Sequence, residues 1–245
     1  MAFVDFDTVV IYDVNIDDEY RFKNKNLPPL LKYLGEIGIK KIIFLYDAPA
    51  SLNQKENFLK RKSVKLFLDT IRPRGMKFYV APNVKLTTDK LRRSDINCFT
   101  LSRTNKIFLQ LPVGISDIRI RDHIDMILSK HMIPVFSAFE RDCFSTRFQS
   151  IKDDFIPRLL WMKKAYFCLD IRQMSYRKNW IYMRKLLYNY NAKILPCISI
   201  DPNKYRYKPT VTDLYELMRK RIGNQKYLAF CKHINGSTKS FFDIT

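Results

Sequence analysis

The chain has 245 residues, 47% of them hydrophobic and only 6 of them glycine, which excludes a disordered or collagen-like polymer and is enough for one large α/β domain or two small ones. Its 44 Lys and Arg against 24 Asp and Glu leave a formal net charge of +20, which favours anionic partners such as nucleic acid, anionic lipid or a polyanionic sugar and equally fits a solvated lysine-rich surface. No apolar run approaches the roughly 20 residues of a membrane-crossing helix; Asp5 and Asp7 interrupt the apolar N-terminus, which does not read as a signal peptide, and the five cysteines, odd in number and without a CxxC pair, are expected as thiols in a reducing cytoplasm.

In chain order, Ala2 to Tyr12 is rich in Val, Ile and Phe and predicts a strand, followed by an acidic loop with Asp13, Asp17, Asp18 and Glu19. Leu27, Leu30, Leu31, Leu34 and Ile37 keep helical spacing, with Pro28 and Pro29 in the tolerant first turn and Gly38 as the stop. A second strand, Ile42 to Tyr46, ends at Asp47, and Glu56 to Leu68 predicts a strongly basic helix. Lys77 to Val80 and Lys106 to Leu111 are the third and fourth strands. Ile120, Ile124, Ile127 and Leu128 mark a helix leading into a fifth strand at Ile133 to Phe136, so Ser137, Ala138, Glu140 and Arg141 fall just past a strand end, where α/β folds place their sites. A helix around Phe155 to Met162 precedes the sixth strand, Ala165 to Leu169, which ends at Asp170. A helix with Tyr176, Trp180, Met183 and Leu187 on one face precedes the seventh, Lys193 to Cys197, and Val211 to Ile222 predicts another helix, with Thr210 and Asp213 arranged as a capping box.

Seven strands alternating with helices, without linker or repeat, predict a single parallel-stranded α/β domain. Periodicity alone leaves a closed barrel and an open doubly wound sheet as alternatives. The acids at strand ends, Asp5, Asp7, Asp13, Asp47 and Asp170, have the oxygen ligands a hard cation takes, and are more commonly turn residues and helix caps. The basic and aromatic stretches Lys60 to Lys65, Tyr176 to Tyr190 and Tyr205 to Tyr207 suit a nucleic-acid backbone and its bases, or a core face beside a wet one.

Ile133 to Arg141, with Asp117-Ile118 before it, resembles the I-x-P-V-(I/L)-A-H-x-E-R segment of the Gram-positive capsular-polysaccharide protein-tyrosine phosphatases, members of the polymerase-and-histidinol-phosphatase (PHP) family. The resemblance extends over most of the chain. Val4 to Asn15 is similar to the family's opening I-D-x-H-x-H-I-x-x-D-V-D, with Asp7 and Val9 in place of its two histidines. Asp47 stands where the family's second strand ends in histidine, Asn83 where it has a bridging glutamate, Ala138 where it has a metal-binding histidine, and Cys197-Ile198-Ser199-Ile200 where it has S-D-x-H, so that Ile198 and Ile200 replace ligands. The resemblance implies a distorted TIM-like (β/α)7 barrel of the PHP type over residues 1–245, with the catalytic metal positions degenerate and no cofactor expected. Arg141 matches the family's phosphate-binding arginine, and Tyr205-Arg206-Tyr207-Lys208-Pro209 resembles its G-R-P-P segment, adding Arg206 and Lys208 as phosphoanion contacts. The alternative for Arg141 is an ion pair with Glu140 or Asp142.

Three functions follow as expectations. One is a pseudoenzyme of capsule or exopolysaccharide regulation that keeps a scaffold or phosphoanion-binding role toward a phosphorylated or otherwise anionic protein. Another is a residual phosphatase with an acidic metal site rebuilt from Asp7, Asp13 and Asp47. The third is a basic RNA-binding protein of the type of the PHP-like RNase P subunit.

Overall fold

The computed structural model describes residues 6–14, 27–49, 53–86, 96–101, 104–110, 117–137, 165–170, 191–200, 219–220 and 223–242. Seven parallel strands, β1 (Thr8–Val14), β2 (Lys41–Pro49), β3 (Lys77–Lys85), β4 (Lys106–Gln110), β5 (Ile133–Phe136), β6 (Tyr166–Asp170) and β7 (Lys193–Ser199), pair in sequence order and close into a barrel. Val10↔Cys197, Ile11↔Ile198 and Tyr12↔Ser199 form the closing seam, which removes the open doubly wound sheet as an alternative. The described helices are α1 (Leu27–Glu36), α2 (Gln54–Thr70), α3 (Asp117–Ser129) and α4 (Asn224–Phe242), and none is long and apolar enough to cross a membrane. The helices expected over 155–162, 176–187 and most of 210–222 lie outside the described residues.

Alternation along the strands sorts the side chains into two cores. Val10, Ile43, Leu45, Phe108, Val135 and Leu195 pack inside the barrel. Val9, Ile11, Ile42, Phe44, Ile107 and Ile194 point outward to meet the stripes Leu27/Leu31/Leu34 of α1, Val64/Leu68 of α2 and Ile124/Ile127 of α3. Both faces being buried explains why the strands read as nearly continuous apolar runs. Gly38, with φ of 99°, turns the chain out of α1 while Ile39 N–H reaches back to Leu34 O at 2.9 Å, the closure that only a left-handed residue allows cheaply.

Several boundaries differ from expectation, and those of β1 and β3 bear on the site. β1 runs Thr8–Val14, so the strand's carboxyl end is Val14. β3 continues past Val80 through Ala81-Pro82-Asn83 to Lys85. Proline usually ends an interior strand because it lacks an N–H. Pairing of β3 with β4 begins only at Asn83↔Phe108, so Pro82 has a laddered neighbour on one side and its missing donor is tolerated.

The amino-terminal end of the barrel is plugged by α4, which the sequence reading had not assigned. Phe241, fully buried, meets Tyr166 edge-on at 5.1 Å between ring centroids and Phe108 at 6.1 Å, and Phe242 meets Tyr79 at 4.9 Å. Lysines near the starts of three strands lie over the rings: Lys41 over Phe242 at 5.0 Å, Lys106 over Phe241 at 5.4 Å and Lys193 over Tyr166 at 5.1 Å. The cationic heads are attracted by the negative faces of these rings. Truncating a buried phenylalanine removes its transfer energy and leaves a cavity, so Phe241→Ala is expected to destabilise the protein by about 3–5 kcal/mol, read as a lower midpoint in urea unfolding.

Candidate functional site

The carboxyl ends of the strands form the mouth of the barrel, and register decides which side chains face it. Asp47↔Asn83, Asn83↔Phe108 and Tyr12↔Ser199 fall on the inward set. Three polar groups result. Lys85 Nζ donates to Asp47 Oδ2 at 2.6 Å, a pair with side chains 45% and 38% exposed and therefore worth about 0–1 kcal/mol. Ser137 Oγ donates to Asn83 Oδ1 at 2.6 Å, and Asn83 Nδ2 to Gln110 Oε1 at 3.3 Å, a neutral chain across β5, β3 and β4. On the far wall Asp170, fully buried, accepts from Tyr12 Oη at 3.2 Å and from Ser199 N–H at 3.4 Å.

The mouth thus holds donors and acceptors that satisfy one another, with one exception. Asp47 Oδ1 is buried and has no hydrogen-bond partner among the described residues, which leaves it as an acceptor for a ligand N–H or O–H. A hydrolytic metal cluster makes different demands: several imidazoles and carboxylates converging at about 2 Å on each ion. The described mouth residues do not fit it. Asp47 and Asp170 are set apart by β1 and β7 around the wall, the Lys85 ammonium stands against Asp47 and repels a cation there, and Asn83 and Ser137 bring neutral oxygens already engaged with each other. Among the described residues no group of three or more His, Cys, Asp or Glu is placed to hold a metal ion.

The positions singled out from sequence are distributed unevenly. Asp47, Asn83, Ser137 and Asp170 reach the mouth. Val9 and Ile198 lie on the outer face against the helices, Ile200 packs on that same outer core, and the inward neighbours are Val10, Cys197 and Ser199. A shift of one residue exchanges the faces of a strand. Asp7 is at the opposite end of the barrel, before β1. Its backbone carbonyl accepts from the Lys40 and Lys41 N–H groups and its Oδ2 pairs with Lys41 Nζ at 3.1 Å. Asp47 is six residues further along β2 than Lys41, roughly 20 Å at 3.3 Å per residue. Asp7 and Asp47 therefore cannot share an ion, which corrects the grouping of Asp7, Asp13 and Asp47 into one metal site; Asp13 lies in β1 with its side chain outside the described set. Ala138, Arg141, Arg206 and Lys208 lie outside the described residues. The three histidines fall away from the mouth: buried His123 on α3, His131 in the turn before β5, and His233 on α4 with Nε2 2.7 Å from Ala192 O. Tyr12, Lys85, Gln110 and Ser199 were not expected at the site: Lys85 and Ser199 lie where β3 and β7 run past their expected ends, and Tyr12 and Gln110 lie two residues beyond inward Val10 and Phe108 on expected strands.

Outside the barrel, α2 is pinned by a polar network. Tyr46 Oη donates to the Asn57 side-chain oxygen, Asn57 Nδ2 donates to Cys98 O at 2.6 Å, and Arg61 Nη2 to Thr100 O at 2.8 Å. Burial pushes the Tyr46 hydroxyl up to about 12, with Arg61 opposing, so it stays a neutral donor. Asn53 caps the helix by accepting from Glu56 N–H at 2.9 Å. The face turned away from the barrel carries exposed Lys55, Lys62 and Lys65 beside Phe58 and Leu66, which are 64% and 59% exposed.

At Asp7, burial pushes the carboxyl up, but hydrogen bonds from Thr8 and Lys41 and the Lys41 charge outweigh it and hold the pKa below its usual 3.8. A carboxyl with a depressed folded-state pKa contributes stability above its unfolded value, lost as pH falls through the folded one. Asp7→Asn is therefore expected to cost under about 1 kcal/mol near neutral pH and to lose that difference from the parent as pH falls below the usual carboxyl value of 3.8, in thermal melts across pH.

No protein-family model matches the sequence, and no curated protein matches it. Solved structures do match in fold. One, from the crystal structures of YwqE from Bacillus subtilis and CpsB from Streptococcus pneumoniae, described as unique metal-dependent tyrosine phosphatases, aligns over 88% of each chain with a TM-score of 0.56 at 12% identity. A dihydrodipicolinate synthase from Agrobacterium tumefaciens aligns over 97% of this chain and 82% of its own, with a TM-score of 0.45 at 10% identity. The chain is a TIM-like α/β barrel of seven parallel strands, similar in fold to the metal-dependent tyrosine phosphatases.

Proposed function

We propose that this chain is a PHP-type barrel that does not carry out metal-dependent phosphate hydrolysis and instead binds a phosphorylated or otherwise anionic partner. The observation that carries the reading is the donor set of the mouth: Lys85 against Asp47, and Asn83 tied to Ser137 and Gln110, where a metal cluster would need converging anionic and imidazole ligands. Arg141, which follows the end of β5 in sequence, with Arg206 and Lys208, supplies the phosphoanion contacts, and the phosphatase resemblance gives capsule or exopolysaccharide regulation as the setting. Purified protein is expected to carry no stoichiometric Mn, Fe or Zn by elemental analysis and to leave p-nitrophenyl phosphate intact when those ions are added. Metal-dependent turnover at the rate of a working phosphatase, abolished by Asp47→Ala, overturns the proposal.

A second reading, RNA binding in the manner of the PHP-like RNase P subunit, is favoured by α2. Lys55, Lys62 and Lys65 with exposed Phe58 combine cations for a phosphate backbone with a ring for stacking, on a helix held rigidly by Tyr46, Asn57 and Arg61. If all three lysines meet phosphates, replacing them with alanine lowers the salt dependence of single-stranded RNA binding by about 2 units of log K per log salt. A slope equal to the parent's removes α2 from the interface.

A further inference from the structure

At the end of the barrel opposite the mouth, α4 and the approaches to β6 and β7 flank an open pocket of about 550 Å³, within the size range of small-molecule sites. One face of α4 lines it, at the helical spacing Ala229, Lys232/His233, Gly236, Ser240. The volume exists because the residues there are small: Ala165 and Ala192 on the barrel side face Ala229 and Gly236, and a Cβ added at Gly236 would meet nothing within 4 Å.

The two lysines beside this apolar floor are the charged groups among its described lining residues. Lys193 Nζ is oriented by the Tyr166 ring at 5.1 Å, Lys232 is exposed on α4, and His233 is anchored by its bond to the Ala192 carbonyl at 2.7 Å. Two ammonium groups, with no carboxylate among the described lining residues, favour an anion, and Asn191 adds a hydrogen-bonding group at the edge. The floor of Ala165, Ala192, Ala229 and Gly236 offers only apolar contact, which suits a flat ring and not a bare phosphate. The geometry points to a nucleotide site: phosphate against Lys193 and Lys232, base or ribose over the alanine and glycine floor. Lys193 and Ser199 stand at opposite ends of β7, roughly 20 Å apart, so this site is separate from the mouth and stands whatever the mouth binds. The nucleotide comes either free or as one residue of an RNA chain.

Thermal shift with AMP and with adenosine tests the site, since a ligand of the folded state alone raises Tm by mass action. AMP is expected to give a saturable rise and adenosine at the same concentration a much smaller one. Lys232→Glu, at an exposed position, weakens AMP by roughly tenfold or more, the equivalent of losing one charge-assisted contact. Gly236→Leu fills the pocket and abolishes the response, while Gly236→Ala, which adds one methyl in open space and favours the helix, keeps it and shows that α4 is intact. A labelled oligoadenylate followed by anisotropy assigns the source: displacement by AMP identifies an RNA residue, and no displacement, or no RNA binding, a free nucleotide. No saturable response to AMP, or responses of Lys232→Glu and Gly236→Leu equal to the parent's, overturns the proposal.

Discussion

Closure of the sheet is the constraint on which the remaining structure depends. Once Val10, Ile11 and Tyr12 pair with Cys197, Ile198 and Ser199, every strand has two neighbours and two buried faces, and the inward residues have only one another and the two ends of the barrel to meet. The amino-terminal end is closed with aromatic rings under strand-start lysines, and the carboxyl end with side chains that hydrogen-bond across strands. The barrel interior is therefore capped by aromatic rings at one end and by hydrogen-bonded polar groups at the other.

Strand positions were well marked in the sequence because burial on both faces writes an apolar run that needs no alternation to be noticed. The same property hid the faces. A run such as Val9-Val10-Ile11 does not say which member points inward, and only the pairing of Val10 with Ile43 and Cys197 settles it. Asp7, Val9 and Ile198 were matched to ligand positions through the resemblance of Val4 to Asn15 and Cys197 to Ile200 to family segments, which does not fix the faces, whereas the polar mouth begins at Tyr12. Asp47, Asn83 and Ser137 were legible because each follows an apolar run that stops at a polar residue, the one boundary that periodicity reports well.

α4 was missed for a different reason. Gly236, Ser237, Thr238 and Ser240 are poor helix formers that read as a turn, and the stripe Phe230, Cys231, Ile234, Phe241 is interrupted by them. In the structure those hydroxyls are spent locally: Ser237 Oγ donates to His233 O and accepts from Ile194 N–H, and Ser240 Oγ lies 3.0 Å from Tyr166 Oη. Tertiary contact with the barrel replaces the intrinsic propensity that the segment lacks.

The order in which the plug appears along the chain has a consequence for biogenesis. β1 and β7 are far apart in sequence, and α4 follows both, so a ribosome delivers all seven strands before the element that seals their interior. Until then Val10, Ile43, Phe108 and Tyr166 line a sheet with an uncovered end, and the seam between β1 and β7 is a pairing of high contact order. Closure of the seam and seating of α4 are therefore late steps, and the incomplete barrel exposes apolar surface until both have taken place.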